Sequence, residues 1–158
     1  MLALAALAPA DAQDASRLAE LELRDQYGNV DSLNRWRGAP VIAVVVSVKR
    51  LAMIEKWETD LSERVPGIRF MNVADLPADV PVDPGQTALT LQKRVPAGVN
   101  VLMDFAREWA TAYELDTALP NLLVFDASGQ LTARFRGRWT AELAAAVVAA
   151  VSPQVAAP

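Results

Sequence analysis

Short apolar runs alternate along the chain with segments of helical period. The run Val41–Val46 (VIAVVV) is apolar at every position, which predicts a central strand covered on both faces. From about Arg50 to Val65, apolar residues recur every three or four positions and predict an amphipathic helix. Ile68–Ala74 then alternates as a strand does. We predict that it runs parallel to the first strand, because a helix separates the two.

The segments on either side complete a mixed order of strands and helices. Alternation in Leu21–Arg24, a turn at Asp25–Asn29 and a short return strand predict an N-terminal β-hairpin. Residues 75–98 are rich in proline and contain one plausible helix. The remaining predicted elements are a strand at Val99–Met103, a helix capped by Asp104, a hairpin at Leu122–Phe135 and a last helix capped by Thr140. This order predicts an α/β fold with a mixed central sheet between flanking helices.

The two ends of the chain differ in composition from the middle. Met1–Ala10 is apolar and the next residues are polar, as in the apolar core and cleavage zone of a secretory signal peptide, although no basic segment precedes it. The alternative is a frayed, alanine-rich tail. We therefore predict a signal-peptide remnant or disordered tail at residues 1–18, one domain at 19–152 and a disordered tail at 153–158. A signal peptide would make the protein periplasmic or secreted, and no run is long enough to cross a bilayer.

The amino-acid composition excludes several kinds of site and partner. The 158 residues include no cysteine and no histidine, which excludes thiol catalysis, disulfides and cysteine-ligated zinc. The net charge of −4 is spread along the chain, so we expect no nucleic-acid partner. The acidic residues Glu22, Asp25 and Asp31 do not form a convincing metal-binding cluster, and we expect no metal or other cofactor.

Three segments carry a resemblance to a known fold. The first runs from Asp25 into the strand VIAVVV, the second spans residues 99–113, and the third runs from Ala118-Leu119-Pro120 to Gly137. Their order and spacing resemble the thioredoxin-like fold, a three-layer sandwich, and in particular its redoxin or peroxiredoxin-like (AhpC/TSA-type) branch. The resemblance covers about Leu21–Val151.

In that family the reactive cysteines lie just past the first core strand. The corresponding stretch here is Ser47-Val48-Lys49-Arg50-Leu51-Ala52-Met53, so Arg50 and Met53 occupy the places of the two thiols. The resemblance also implies that Pro120 is the family's cis-proline and that Leu119 corresponds to the residue whose backbone contacts extended substrates. It thus implies a groove with no catalytic residue, formed by Ser47, Lys49, Arg50, Met53, Leu119 and Pro120.

Three functional hypotheses follow. The first is a non-catalytic binding or accessory protein of a bacterial cell envelope that holds a peptide, a protein or a small anionic ligand in this groove. Lys49 and Arg50 at a helix start favour an anion, unless they are simply solvated charges. The second is an enzyme with non-thiol chemistry, for which no base–nucleophile pair is evident. The third is a structural or interaction domain. Whether the chain is an enzyme at all stays open, with a non-catalytic role favoured.

Overall fold

The computed structural model describes residues 17–77 and 82–156. Seven strands form one sheet in the order β2-β1-β5-β4-β3-β6-β7. The strands are β1 (Leu23–Asp25), β2 (Val30–Asp31), β3 (Val41–Ser47), β4 (Arg69–Asp75), β5 (Val101–Asp104), β6 (Asn121–Phe125) and β7 (Leu131–Arg136). The α-helices are α1 (Ile54–Arg64), α2 (Pro84–Arg94), α3 (Glu108–Ala112) and α4 (Ala141–Val155), and 3-10 helices span Leu33–Trp36 and Val48–Met53.

The sheet is mixed, as predicted. β3, β4 and β5 are parallel neighbours. On one side β6 pairs antiparallel with β3 and β7 antiparallel with β6, and on the other side β1 pairs antiparallel with β5 and β2 antiparallel with β1. The predicted parallel pairing of the strands before and after α1 is therefore confirmed. Helices connect the parallel strands because such a crossover must return the chain to the starting edge of the sheet.

β3 separates two hydrophobic cores. Val41, Ala43 and Val45 pack on one face with Trp109 and Phe125. On the other face, Ile42, Val44 and Val46 pack with Trp57 and Leu61 of α1 and with Val147 and Val151 of α4. The six residues from Val41 to Val46 are all at most 1% exposed, which confirms a central strand covered on both sides.

Both ends of the domain differ from the predicted boundaries. Residues 17–20 are helical, and Leu18 is 1% exposed in the core, so the ordered domain includes part of the predicted N-terminal tail. α4 continues to Val155, three residues beyond the predicted end, with Pro153 inside its last turn. The signal-like segment, up to residue 16, lies outside the described residues.

Two local predictions are wrong. The α-helix expected from about Arg50 begins at Ile54, because the residues before it form the 3-10 helix Val48–Met53. The peptide bond before Pro120 is trans, as are the other peptide bonds of the described residues, so Pro120 is not a cis-proline. The trans form is the intrinsically favoured one, and hydrogen bonds hold this loop: the Pro120 carbonyl accepts from the Gly137 amide at 3.0 Å.

Gly137 provides a test of the packing around this loop. Its carbonyl accepts a hydrogen bond from Trp57 Nε1, and a β-carbon added to it would meet Leu143 Cδ2 at 2.9 Å. We predict that Gly137→Ala lowers the free energy of unfolding by about 1–3 kcal/mol, measured by urea denaturation. Gly85→Ala in α2 is the control: its β-carbon would meet only Asp83 Oδ1 at 3.2 Å, and alanine has the higher helix propensity, so it should not lower the free energy of unfolding by more than about 0.5 kcal/mol. Equal effects of the two substitutions would contradict the packing described here.

Candidate functional site

The carboxyl ends of the three parallel strands place polar side chains next to one another. In the sheet register Ser47 pairs with Asp75, and Asp75 pairs with Asp104. Ligand sites of α/β proteins commonly lie outside this edge of the sheet. Ser47 is half-buried, whereas Asp75 and Asp104 are 4% and 1% exposed.

Asp75 is the centre of a buried polar cluster. Arg107 donates from Nε and Nη2 to the two carboxylate oxygens at 2.9 Å each, and the Thr117 hydroxyl donates to the second oxygen. Arg107 adopts a left-handed conformation with φ of 57°, which is uncommon for a residue with a β-carbon. The cluster joins the end of β4, the start of α3 and the 117–121 loop. Because its three residues come from three parts of the chain, it clamps this edge of the sheet.

The helix predicted to begin at Asp104 begins instead at Glu108 and has Arg107 as its N-cap, although the Asp104 carboxylate still binds its first amides. The two carboxylate oxygens accept from the backbone amides of Glu108 at 3.1 Å and Trp109 at 2.9 Å. Burial raises the pKa of Asp104 above its usual value, and the negative charges of Asp75 and Glu108 add to the rise, while the two amide hydrogen bonds oppose it. The carboxylate therefore serves the fold through α3.

The 117–121 loop lies beside the end of β3. The Ser47 amide donates to the Thr117 carbonyl at 2.9 Å, and Asn121 Nδ2 donates to the carbonyls of Asp116 and Leu119 at 3.0 Å each. The Leu119 carbonyl, which the resemblance implied for substrate contact, is thus engaged within the loop. Pro120 is buried.

The segment expected to carry the lost thiols is exposed and holds no reactive pair. The Ser47 hydroxyl accepts from the Lys49 amide at 3.4 Å, and no base within the described residues hydrogen-bonds to it. Lys49 and Arg50 are exposed, and Met53 is half-buried. A serine without a base is a weak nucleophile at neutral pH, so this arrangement offers no route to covalent catalysis.

An apolar cavity of about 410 Å³ lies between this segment and α2. Lys49 and Arg94 line opposite sides of it, and the side chains of both lack an ion pair within the described part of the chain. Its size falls in the range of small-molecule pockets. The other lining residues are Val48, Leu51, Ala52, Ile54, Glu55, Glu58, Thr90, Leu91, Val95, Pro96, Val99 and Val101.

The structure brings the predicted site residues together only in part. Ser47, Lys49, Arg50 and Met53 share one short segment, and the amide of Ser47 connects it to the loop that contains Leu119 and Pro120. Of these six residues, Lys49 alone lines the apolar cavity. Sequence reasoning missed the Asp75 cluster and Arg94. The position of Asp75 at the end of a predicted parallel strand was a signal for the former.

The described residues also bear on whether the protein could bind a metal ion or span a membrane. No group of three or more histidine, cysteine, aspartate or glutamate side chains in residues 17–77 and 82–156 is arranged to hold a metal ion. Each helix in these ranges is too short or too polar to cross a membrane.

Comparison with known proteins shows the fold. No protein-family profile matches the sequence, and no curated protein matches it either. Among solved structures, an exposed lipoprotein thioredoxin of Streptococcus pneumoniae matches with a TM-score of 0.64 and 14% identity over 82% of this chain and 97% of its own. Peroxiredoxin Q of Xanthomonas campestris matches with a TM-score of 0.64 and 14% identity over 89% and 95%. The chain therefore has the thioredoxin-like α/β fold and lacks the cysteines on which redoxin chemistry depends.

The clamp at Asp75 predicts a large stability effect. Asp75→Ala removes the partner of Arg107, which is 41% exposed, and the acceptor of the buried Thr117 hydroxyl. We expect it to lower the free energy of unfolding by about 2 kcal/mol in urea denaturation. Asp116→Ala breaks the ion pair with Arg136, whose side chains are 62% and 44% exposed, and should cost less than about 1 kcal/mol. A loss at Asp75 as small as that at Asp116 would show that the cluster is not a clamp.

Glu58 predicts a pH effect. Burial raises its pKa above the usual value, and the hydrogen bond from Asn72 opposes the rise only in part. The unfolded chain therefore ionises at a lower pH than the folded protein does. Between the ordinary glutamate pKa and the higher pKa of Glu58 in the folded protein, the free energy of unfolding falls as the pH rises. In urea denaturation from pH 4 to 8, we expect Glu58→Gln to gain stability relative to wild type through this window and to keep a constant difference above it.

The control is Glu55→Gln, on the same helix but exposed. Its stability should follow wild type at every pH. A Glu58→Gln curve parallel to wild type throughout would contradict the assigned direction of the pKa.

Proposed function

We propose that this protein is a non-catalytic binding domain with the thioredoxin-like fold. Its ligand is a peptide or small molecule that combines an apolar group with a carboxylate. The observation that carries the proposal is the apolar cavity of about 410 Å³ beside the segment where the family holds its thiols. The absence of cysteine removes the family's redox step, but a cavity needs no thiol to hold a ligand.

Charge at the cavity supports the choice of an anionic ligand. Lys49 and Arg94 enter from opposite walls without an ion pair in the described part of the chain, so a carboxylate between them would gain charge-assisted hydrogen bonds. Valine, leucine and isoleucine side chains of the cavity would cover the apolar group. Glu55 and Glu58 also line the cavity and would repel a second anionic group, which favours a ligand with one carboxylate.

Placement in a bacterial cell envelope is part of the same proposal. The apolar start of the chain is typical of a secretory signal peptide. One structural neighbour is named as an exposed lipoprotein thioredoxin, which makes an extracytoplasmic role for this fold reasonable. The accessory role and its site, including Ser47, Arg50, Met53, Leu119 and Pro120 at the neighbouring surface, stay predictions.

Isothermal titration calorimetry tests the binding site directly. We expect 4-phenylbutyrate to bind. The alcohol 4-phenylbutan-1-ol has the same apolar group but no charge, and it should bind about tenfold more weakly because the charge-assisted hydrogen bonds are lost. The same loss should follow from Lys49→Gln or Arg94→Gln. Lys93→Gln is the matched control, since Lys93 is exposed beside Arg94 but does not line the cavity.

A second variant separates a missing site from a disturbed fold. Ala52→Trp places a large side chain from the exposed 3-10 helix into the cavity and should abolish binding while the circular dichroism spectrum stays that of wild type. If folded wild type binds neither compound, or if Ala52→Trp binds as wild type does, the proposal is wrong and a structural or interaction role is left.

A further inference from the structure

A second cavity, of about 450 Å³, lies at the amino ends of β4 and β5. In the register Val101, the first residue of β5, pairs with Asn72, so residues 69–71 of β4 extend past the end of β5. The β1–β2 turn, α1 and residues 98–100 wall the space that this leaves. The cavity is distinct from the apolar one at α2, although Glu58 and Val99 line both.

Every charged side chain that lines this cavity, within the described residues, is acidic. These residues are Asp25, Asp31 and Glu58. Two cations of adjoining segments already have backbone partners: Arg35 donates to the Val30 carbonyl, and Arg69 donates to the carbonyls of Trp36 and Ala39. Three carboxylates and no cation among the lining side chains favour a positively charged occupant.

Asn72 supplies a second, independent observation. Its side chain lines the cavity although the residue is only 4% exposed. Nδ2 donates to Glu58 Oε1 at 2.7 Å and to the Asn100 carbonyl at 3.5 Å, whereas Oδ1 accepts no hydrogen bond from any described residue. A buried acceptor without a donor is costly, so a ligand that brings an N–H group would satisfy it.

Two aromatic side chains of the cavity wall are also suited to a positively charged ligand. Trp36 and Phe70 line the cavity, and the Trp36 ring is fixed by a 2.8 Å hydrogen bond from Nε1 to Asp31 Oδ2. Aromatic faces attract cations that have lost water. The guanidinium of Arg69 lies 5.2 Å from the centre of the Trp36 ring, so this ring already has one cation partner, whereas no cation contact is found for Phe70 within the described residues. The acidic groups are not arranged for a metal ion, so an organic cation fits better.

We propose that this second cavity binds an organic cation with N–H donors, an alkylammonium or guanidinium group, between Glu58, Asp31 and the free Oδ1 of Asn72. The cation is either a free polyamine or the side chain of a lysine or arginine in a peptide, and the recognition chemistry is the same. This site does not depend on the carboxylate-binding cavity at α2.

Calorimetric titration of the full chain with two probes distinguishes the sources. Spermidine represents the free cation, and the blocked tripeptide acetyl-Ala-Lys-Ala-amide represents a peptide side chain. The same tripeptide with its lysine acetylated is the neutral control. We expect at least one cation to bind in 0.05 M salt, to bind more weakly in 0.5 M salt, and to bind at least tenfold more tightly than the acetylated control.

Two variants assign the binding to this cavity. Glu58→Gln keeps the shape of the side chain but removes its charge, and should weaken the bound cation at least tenfold. Ser62→Phe, at an exposed position of α1, fills the cavity and should block binding. Glu55→Gln lies on the same helix but lines only the other cavity, so cation affinity should match wild type.

Three results would overturn the proposal. They are folded wild type that binds neither cation, equal affinity for the lysine peptide and its acetylated form, and cation binding that survives both Glu58→Gln and Ser62→Phe. Because 4-phenylbutyrate binding is measured separately on Lys49 and Arg94 variants, failure here is distinguishable from failure of the carboxylate site.

Discussion

The burial of β3 on both faces is the constraint on which the rest of the structure depends. A strand whose side chains are apolar on both faces must be covered twice, so helices have to pack on each side of the sheet. Trp57 of α1 fills one side and Trp109 of α3 fills the other. With β3 fixed, its register against β4 and the register of β4 against β5 place Ser47, Asp75 and Asp104 in a row at the carboxyl edge.

The segment that the resemblance equates with the thiol positions of redoxins lies beside that edge. It has Arg50 and Met53 at those positions, and neither can take part in thiol–disulfide exchange. At the edge itself Asp75 accepts hydrogen bonds from both Arg107 and Thr117. These contacts stabilise the loop beside Ser47 and engage the Asp75 carboxylate, so it is not free to act as a base. The apolar cavity between the 3-10 helix Val48–Met53 and α2, lined by Lys49 and Arg94, is open to a ligand.

Periodicity was enough to predict the sheet and most of its helices, since each depends on a local pattern of apolar residues. The start of α1 was misplaced because apolar spacing continues through Leu51 and Ile54, and a 3-10 helix repeats at nearly the same interval as an α-helix. The cis isomer expected at Pro120 came from the resemblance alone, and the bond has the intrinsically favoured trans form.

The Asp75 cluster was missed for a related reason. Its contacts to Arg107 and Thr117 join residues 32 and 42 positions apart in the sequence. The cavity between the Val48–Met53 helix and α2 is likewise a product of packing, because its walls come from segments that a proline-rich stretch separates. The resemblance directed attention to residues 47–53, and of its six predicted site residues only Lys49 lines this cavity.

Residue-resolved chemical-shift mapping is the most direct test of the central proposal, that the cavity beside the expected thiol position binds a ligand. In a titration of nitrogen-15-labelled protein with 4-phenylbutyrate, we expect saturable shifts confined to the amides around Lys49, Ala52, Thr90 and Arg94. Absence of saturable shifts, or shifts centred on β7 at the edge of the sheet, would contradict it.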